Sequence, residues 1–163
     1  MRALDPSAAL VLLPLVAPIA IWVAWSDMKF MRIPNKAVVA LAAVYLLAGP
    51  LVLPFADWAW GWAGLGLVLA LGFVLNLAGT IGAGDAKYAA AMAPFVAPGD
   101  LRLVLPLFAA VLLGAFAAHR GLGRVAAFRS ATADWESWRR RDFPMGLALS
   151  GTLVFYLALV LLR

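Results

Sequence analysis

The chain has 163 residues, of which 66% are hydrophobic and 13% charged, with a formal net charge of +5 and a mean hydropathy of +0.97. A soluble domain carries roughly 45–50% apolar and about 25% charged residues, so this composition is that of a polytopic membrane protein, with 1–163 expected to be a single membrane-embedded domain. With no cysteine and one histidine, His119, disulfides, thiol nucleophiles and Cys/His zinc sites are excluded, and no metal or cofactor is expected.

Apolar runs punctuated by Gly, Pro and charge predict an all-α bundle of about six transmembrane helices, over 8–25, 37–54, 59–79, 85–97, 101–119 and 145–162. Arg2 precedes the first run as in a signal peptide, but no small-x-small cleavage site follows, so that run is expected to persist as a first helix. Asp27 comes just after it, in Trp25-Ser26-Asp27-Met28-Lys29, where Lys29 could neutralise it. Pro34 and Asn35 open the second helix, proline preset for an early turn and asparagine able to cap it or to touch a substrate.

Trp58, Trp60 and Trp62 are expected at a membrane interface, where indoles are favoured. Gly61, Gly64 and Gly66 suit close helix packing, and Asn76 suits an interhelical hydrogen bond. The fourth run, about 13 residues, is too short to cross a hydrocarbon core of about 30 Å. It is expected to start below the headgroups, to tilt, or to sit within a protein-lined, wetter part of the bundle, since non-helical backbone such as 79–84 is tolerated at depth only when shielded or lining a watery cavity. His119 closes the fifth helix, as a cation favoured by the helix dipole and headgroups. The loop 120–143 contains Asp134-Trp135-Glu136-Ser137-Trp138-Arg139-Arg140-Arg141, either an ordinary basic loop or a short interfacial helix touching anionic membrane lipids.

With six spans and both termini outside, the inner loops hold Lys29, Arg32, Lys36, Lys87, Arg120, Arg124, Arg129, Arg139, Arg140 and Arg141, leaving Arg2, Arg102 and Arg163 outside. This distribution follows the positive-inside rule and explains the basic charge without nucleic acid. It places Asp27 and Asp85 on the same, inner side. Asp5, Asp57 and Asp100 fall outside, and Asp134, Glu136 and Asp142 in the basic loop.

The chemistry is therefore carried by carboxylates. A carboxylate in or at the edge of a membrane costs a few kcal/mol or more and marks a functional site by default. Asp85 lies in Ile81-Gly82-Ala83-Gly84-Asp85-Ala86-Lys87 at the mouth of the fourth helix. Gly82 and Gly84 remove side chains where a substrate backbone could approach and permit positive φ. Lys87, two positions on and about 200° around a helix, is not expected to pair with Asp85 and is free to meet lipid phosphate or another loop. Two adjacent carboxylates cannot easily both ionise, so the pair can share one proton around a water and hydrolyse an amide without metal or covalent intermediate.

Asp27 shortly before Ile33-Pro34-Asn35, Gly82-Ala83-Gly84-Asp85-Ala86-Lys87 opening a later helix, and Pro144-Met145-Gly146-Leu147-Ala148 opening the last one together resemble the prepilin peptidases of type IV pilus systems. The resemblance covers nearly the whole chain. It implies an aspartic endopeptidase of the bacterial inner membrane that removes the short basic leader of prepilins after a glycine, with Asp27 and Asp85 catalytic and Gly82 and Gly84 the glycines of the Gly-x-Gly-Asp motif. The basic leader would lie in the cytoplasm, matching the inner placement of both aspartates. Larger relatives carry an added methyltransferase region, often with paired cysteines. The short first loop and absence of cysteine argue against methylation here, and the compact form resembles the peptidases of tight-adherence, Flp-type pili.

Three rival readings are testable. Ser26 and Lys29 have the spacing of a serine/lysine dyad. A magnesium-dependent lipid-phosphate transferase would use the aspartates as metal ligands and the basic loop for phosphate. A proton-relaying transporter or structural subunit would perform no cleavage.

Overall fold

The computed structural model describes residues 2–163 and is all-helical among them. Six apolar helices form the bundle: α1 (Pro6–Phe30), α2 (Asn35–Val52), α3 (Phe55–Leu77), α4 (Ala83–Met92), α5 (Leu101–Leu122) and α7 (Met145–Leu161). A short α6 (Ala126–Ala131) lies in the loop between the last two. Helices α1, α2, α3 and α5 are long and apolar enough to cross a membrane, whereas α7 is a shorter apolar helix of 17 residues.

Asp5 starts α1, its Oδ1 accepting hydrogen bonds from the Ser7 amide at 2.8 Å and the Ser7 hydroxyl at 2.6 Å. Both bonds favour the ionised carboxylate and hold the Asp5 carboxyl below its usual range. The helix runs through Pro14 and Pro18 to Phe30, so Asp27 lies inside its last turn rather than after it. Met31 then adopts the left-handed conformation (φ 49°, ψ 43°) and its amide closes on the Asp27 carbonyl at 2.8 Å. That conformation costs a β-carbon-bearing residue roughly 1–2 kcal/mol, and it turns the chain tightly enough that α2 begins at Asn35.

The core is built mainly from α1, α2, α4 and α7. Leu12, Val16, Val23, Leu41, Leu153, Leu157 and Val160 are buried in it together with Tyr45, Tyr88, Phe95 and Tyr156. Each buried tyrosine hydroxyl has a partner: Tyr45 donates to the Trp58 carbonyl at 3.1 Å, Tyr88 meets Ser150 Oγ at 3.1 Å, and Tyr156 donates to Asp100 at 2.8 Å. Such pairing is required where no water competes.

Helices α3 and α5 are peripheral. Only Gly72 of α3 and His119 of α5 are buried, while Leu67, Leu71, Phe73, Leu105 and Leu113 point outward. An apolar outer face of this extent suits a hydrocarbon environment. Ten-residue α4 spans about 15 Å at 1.5 Å per residue, half the hydrocarbon thickness. It packs against α2, α3 and α7, so the expectation of a shielded short helix holds. It begins at Ala83 rather than 85 and passes at its end into a 3-10 turn, Ala93–Phe95.

Several local expectations are corrected. Trp58 and Trp62 pack edge-on against Tyr45 and each other, with Trp58 Nε1 donating to the Tyr45 carbonyl at 3.2 Å. Only Trp60 is strongly exposed, so the three do not form a uniform belt. Gly61 lies tightly against the Tyr45 hydroxyl, but Gly64 and Gly66 face open space and mediate no packing. The segment around Trp135 and Trp138 is a 3-10 turn (Glu136–Trp138), and the helix of this loop, α6, precedes it.

One end of the bundle is closed by Asp100, 3% exposed. Its Oδ2 accepts from the Leu4 amide at 2.9 Å and the Tyr156 hydroxyl at 2.8 Å, and its Oδ1 from Arg163 at 2.7 Å. Three elements distant in sequence meet on this carboxylate. Asp100→Ala strands a buried amide and hydroxyl and is expected to destabilise the protein by on the order of 3 kcal/mol. Thermal unfolding in detergent should show a drop of several degrees, and an unchanged midpoint would refute this role.

Candidate active site

The opposite end of the bundle gathers the two aspartates singled out in the sequence. Asp27 is 5% exposed, and its Oδ2 accepts a 2.7 Å hydrogen bond from the Gly146 amide. Gly146 stands in the first turn of α7, where backbone N–H groups have no partner within the helix and attract negative charge. A β-carbon at 146 would lie 3.0 Å from both Cβ and Oδ2 of Asp27, tight enough that the carboxylate would have to give by a few tenths of an ångström. Asp27 is thereby clamped between the last turn of α1 and the first turn of α7, the most extensively packed helix pair in the molecule.

Asp85 occupies the third position of α4, its Oδ2 folded back beside Gly82, the residue that precedes the helix. This is the position that the acid of a capping box takes. A β-carbon at 82 would stand 2.7 Å from Asp85 Oδ2, so Gly82 makes room for the carboxylate itself. The turn that follows Asp27 packs against α4 at Gly84, the residue before Asp85, so the two aspartates lie at the same end of the bundle.

The glycines differ from their sequence-based roles. Neither Gly82 (φ −70°) nor Gly84 has positive φ, and the one glycine that does is Gly79 (φ 70°), at the turn out of α3. A β-carbon at Gly84 would make only ordinary contact with Ile33 at 3.5 Å, so Gly84 marks where the α1–α2 turn meets α4. Asn76 forms no interhelical bond. Its Nδ2 donates to the Ile81 carbonyl at 2.9 Å and ties down the loop that delivers Asp85. Close approach of α3 to α4 occurs at Gly72, where a β-carbon would be 2.8 Å from the Ala86 β-carbon.

Asn35 is the first residue of α2 and is exposed. Pro34 holds the cap position, and no side chain caps the helix, which overturns the capping role expected of Asn35. Lys87 is exposed and forms no ion pair among the described residues, in keeping with its predicted separation from Asp85. Lys29 does not neutralise Asp27. It pairs with Asp134 at 3.0 Å, and its ammonium group holds the Asp134 carboxyl below the usual range. Ser26 Oγ donates to the Arg32 carbonyl at 2.9 Å, so the Ser26–Lys29 dyad is not assembled. Among the described residues no third His, Cys, Asp or Glu joins Asp27 and Asp85 to form a metal-binding cluster.

Sequence reasoning missed the positioning roles of Gly146 and Asn76. A glycine two residues after Pro144 at a helix start was the available signal for the first, and a lone amide five residues before Ile81 for the second. Asn76→Ala should remove about 1 kcal/mol of local stability and speed amide hydrogen exchange over 79–85 while leaving α1 and α7 protected. Gly146→Val should force Asp27 away from α7 and cost about 1–3 kcal/mol, the range for overpacking. Unaltered exchange in the first variant, or unaltered thermal stability in the second, would contradict these assignments.

Neither the search of curated proteins nor that of solved structures returned a match. The family model for type IV leader peptidases does match, over residues 15–119, a stretch that includes Asp27, Gly82, Gly84 and Asp85 and more than half of the chain. With a helical membrane bundle around that stretch, the chain belongs to the type IV leader peptidase family, a family of aspartic-type peptidases acting on prepilin-type substrates.

Proposed function

We propose that this protein is a single-domain aspartic endopeptidase that removes the basic leader from a small, Flp-like prepilin at the cytoplasmic face of the inner membrane. The observation that carries the reading is the gathering of Asp27 and Asp85 at one end of the bundle, Asp27 held by the Gly146 amide at the start of α7 and Asp85 set beside Gly82 at the start of α4. Four residues, 31–34, join α1 to α2, which supports a compact peptidase without a methyltransferase region. The inner-face assignment is supported by the basic side chains at this end of the bundle: Lys29, two residues after Gly146-bound Asp27, is paired with Asp134 of the basic loop.

In the proposed reaction the pair holds one proton between its two carboxyl groups. The protonated member donates a hydrogen bond to the oxygen of the scissile carbonyl. The ionised member takes a proton from a water whose oxygen attacks the carbonyl carbon, giving a tetrahedral intermediate. As that intermediate collapses, the C–N bond breaks, the departing nitrogen takes a proton from the pair, and a leader carboxylate and a new amino terminus result. The pair is left with one proton, ready for a second turnover. The glycines at 82 and 84 leave a shallow wall beside Asp85 for the extended backbone of the substrate, and exposed Lys87 faces lipid phosphate or solvent.

Incubation of the purified protein in detergent with a Flp-type prepilin tests the proposal. Mass spectrometry should find two products whose masses sum to the precursor plus one water, in the presence of EDTA as in its absence. Ser26→Ala should cleave at a rate within a few-fold of the parent. An intact prepilin would favour a transporter or structural subunit, loss of activity with EDTA a metal-dependent reaction, and an inactive but folded Ser26→Ala variant the serine/lysine dyad.

A further inference from the structure

A second site lies away from the two aspartates, where the end of α5 meets the 120–143 loop. A cavity of about 250 Å³ is walled there by five arginines, Arg120, Arg124, Arg129, Arg140 and Arg141, with Asp142 the only acidic residue on its wall. Arg140 has Glu136 at 3.8 Å, and the other four have no carboxylate within 4 Å among the described residues. Two further wall residues are polar, buried and unpartnered: His119, 7% exposed, through Nε2, and Ser137, 3% exposed, through Oγ. Buried polar atoms ordinarily find a partner, and leaving one without costs about 1–3 kcal/mol. Two of them on the wall of one arginine-rich cavity need a shared explanation.

The walls are also held in place. The His119 ring stacks on Trp138 at 4.5 Å and 17° and meets Phe143 edge-on at 5.9 Å, which fixes the direction of Nε2. The guanidinium of Arg129 lies over the Trp138 ring and that of Arg120 over Phe116, both at 5.1 Å, so their forks are oriented by aromatic faces rather than left free. Trp138 Nε1 donates to Thr132 Oγ1 at 3.1 Å, and Thr132 Oγ1 to the Phe128 carbonyl at 2.7 Å, anchoring the indole on which both His119 and Arg129 rest. The last carbonyls of α5, which would repel an anion, are taken up by the amides of Gly123, Arg124 and Val125 at 3.0–3.1 Å. His119 is thus a buried wall of this cavity and not a side chain exposed at the end of α5.

We propose that this cavity is a phosphate-binding site, in which arginine forks and the His119 and Ser137 side chains hydrogen-bond the oxygens of a phosphate group carried by a lipid headgroup or free in solution. Planar guanidinium groups match phosphate oxygens two at a time, and a hydroxyl and an imidazole N–H supply the remaining donors. A basic peptide is repelled from such a cavity, so the site is distinct from the one proposed to receive a basic leader and does not depend on it.

The test uses the full-length protein in an uncharged detergent. Sodium phosphate is titrated against sodium chloride at matched ionic strength, and in a second arm micelles are doped with phosphatidylglycerol or with phosphatidylcholine, bound lipid being counted by native mass spectrometry. Arg124 and Arg141 are exposed, so Arg124→Gln with Arg141→Gln should fold normally and weaken binding at least about tenfold, the loss of charge-assisted hydrogen bonds. Ser137→Ala should weaken it several-fold. Arg139→Gln also removes a positive charge, one against the double variant's two, but lies off the wall, and should bind within about twofold of the parent. Saturable binding of phosphatidylglycerol alone identifies a lipid headgroup, and of inorganic phosphate alone a free ion. Binding of both identifies the phosphate group itself. Absence of saturable binding in both arms, or an Arg139→Gln effect as large as that of the double variant, overturns the proposal.

Discussion

The hydrogen bond from the Gly146 amide to the Asp27 carboxylate joins the end of one apolar helix to the start of another in a part of the protein where water is scarce. In such surroundings an ionisable group is tolerated only if something specific receives it, and a helix start offers an unpaired N–H with a favourable dipole. The requirement propagates outward. A β-carbon at position 146 would press on the carboxylate, α1 extends past Asp27 to Phe30, and the chain reverses within four residues through a left-handed Met31 so that Ile33 meets Gly84.

Asp85 also stands at the end of a helix, in a different setting. Its helix is only ten residues long and would be unstable alone, but α2, α3 and α7 surround it and Gly72 lets α3 approach closely. The non-helical stretch before it is governed by the glycine at positive φ, Gly79, and by the Asn76 bond to Ile81. Both aspartates therefore stand at helix ends, so the backbone positions that carry them are set by helix packing and not by loop geometry.

The helices were legible in the sequence because hydropathy reports the solvent directly, and the six expected runs differ from the observed apolar helices chiefly at their ends. The short fourth helix and its aspartate were legible for the same reason: charge among apolar residues stands out. Partners were not. Lys29 reaches Asp134 and Asp27 reaches Gly146 across more than a hundred residues, and no local pattern encodes such a meeting. Asn35 has the chemistry of a cap but sits one residue too late, behind a proline that holds the position. Trp58 and Trp62 have the composition of an interfacial belt yet are drawn inward by Tyr45, whose carbonyl takes the indole N–H of Trp58. The basic loop read as a topology signal or an interfacial helix, whereas with the end of α5 it sets five arginines around a cavity, one of them, Arg129, lying over Trp138.

The central claim is that Asp27 and Asp85 act as one catalytic unit on a prepilin. It is tested most directly by comparing cleavage rates of the Asp27→Asn and Asp85→Asn variants and the double variant, after each is shown to be present and folded in membranes. Residues that act together do not lose activity additively. The account predicts that either single substitution lowers the rate to that of the double variant. A single variant that cleaves well above the double variant's rate would contradict it.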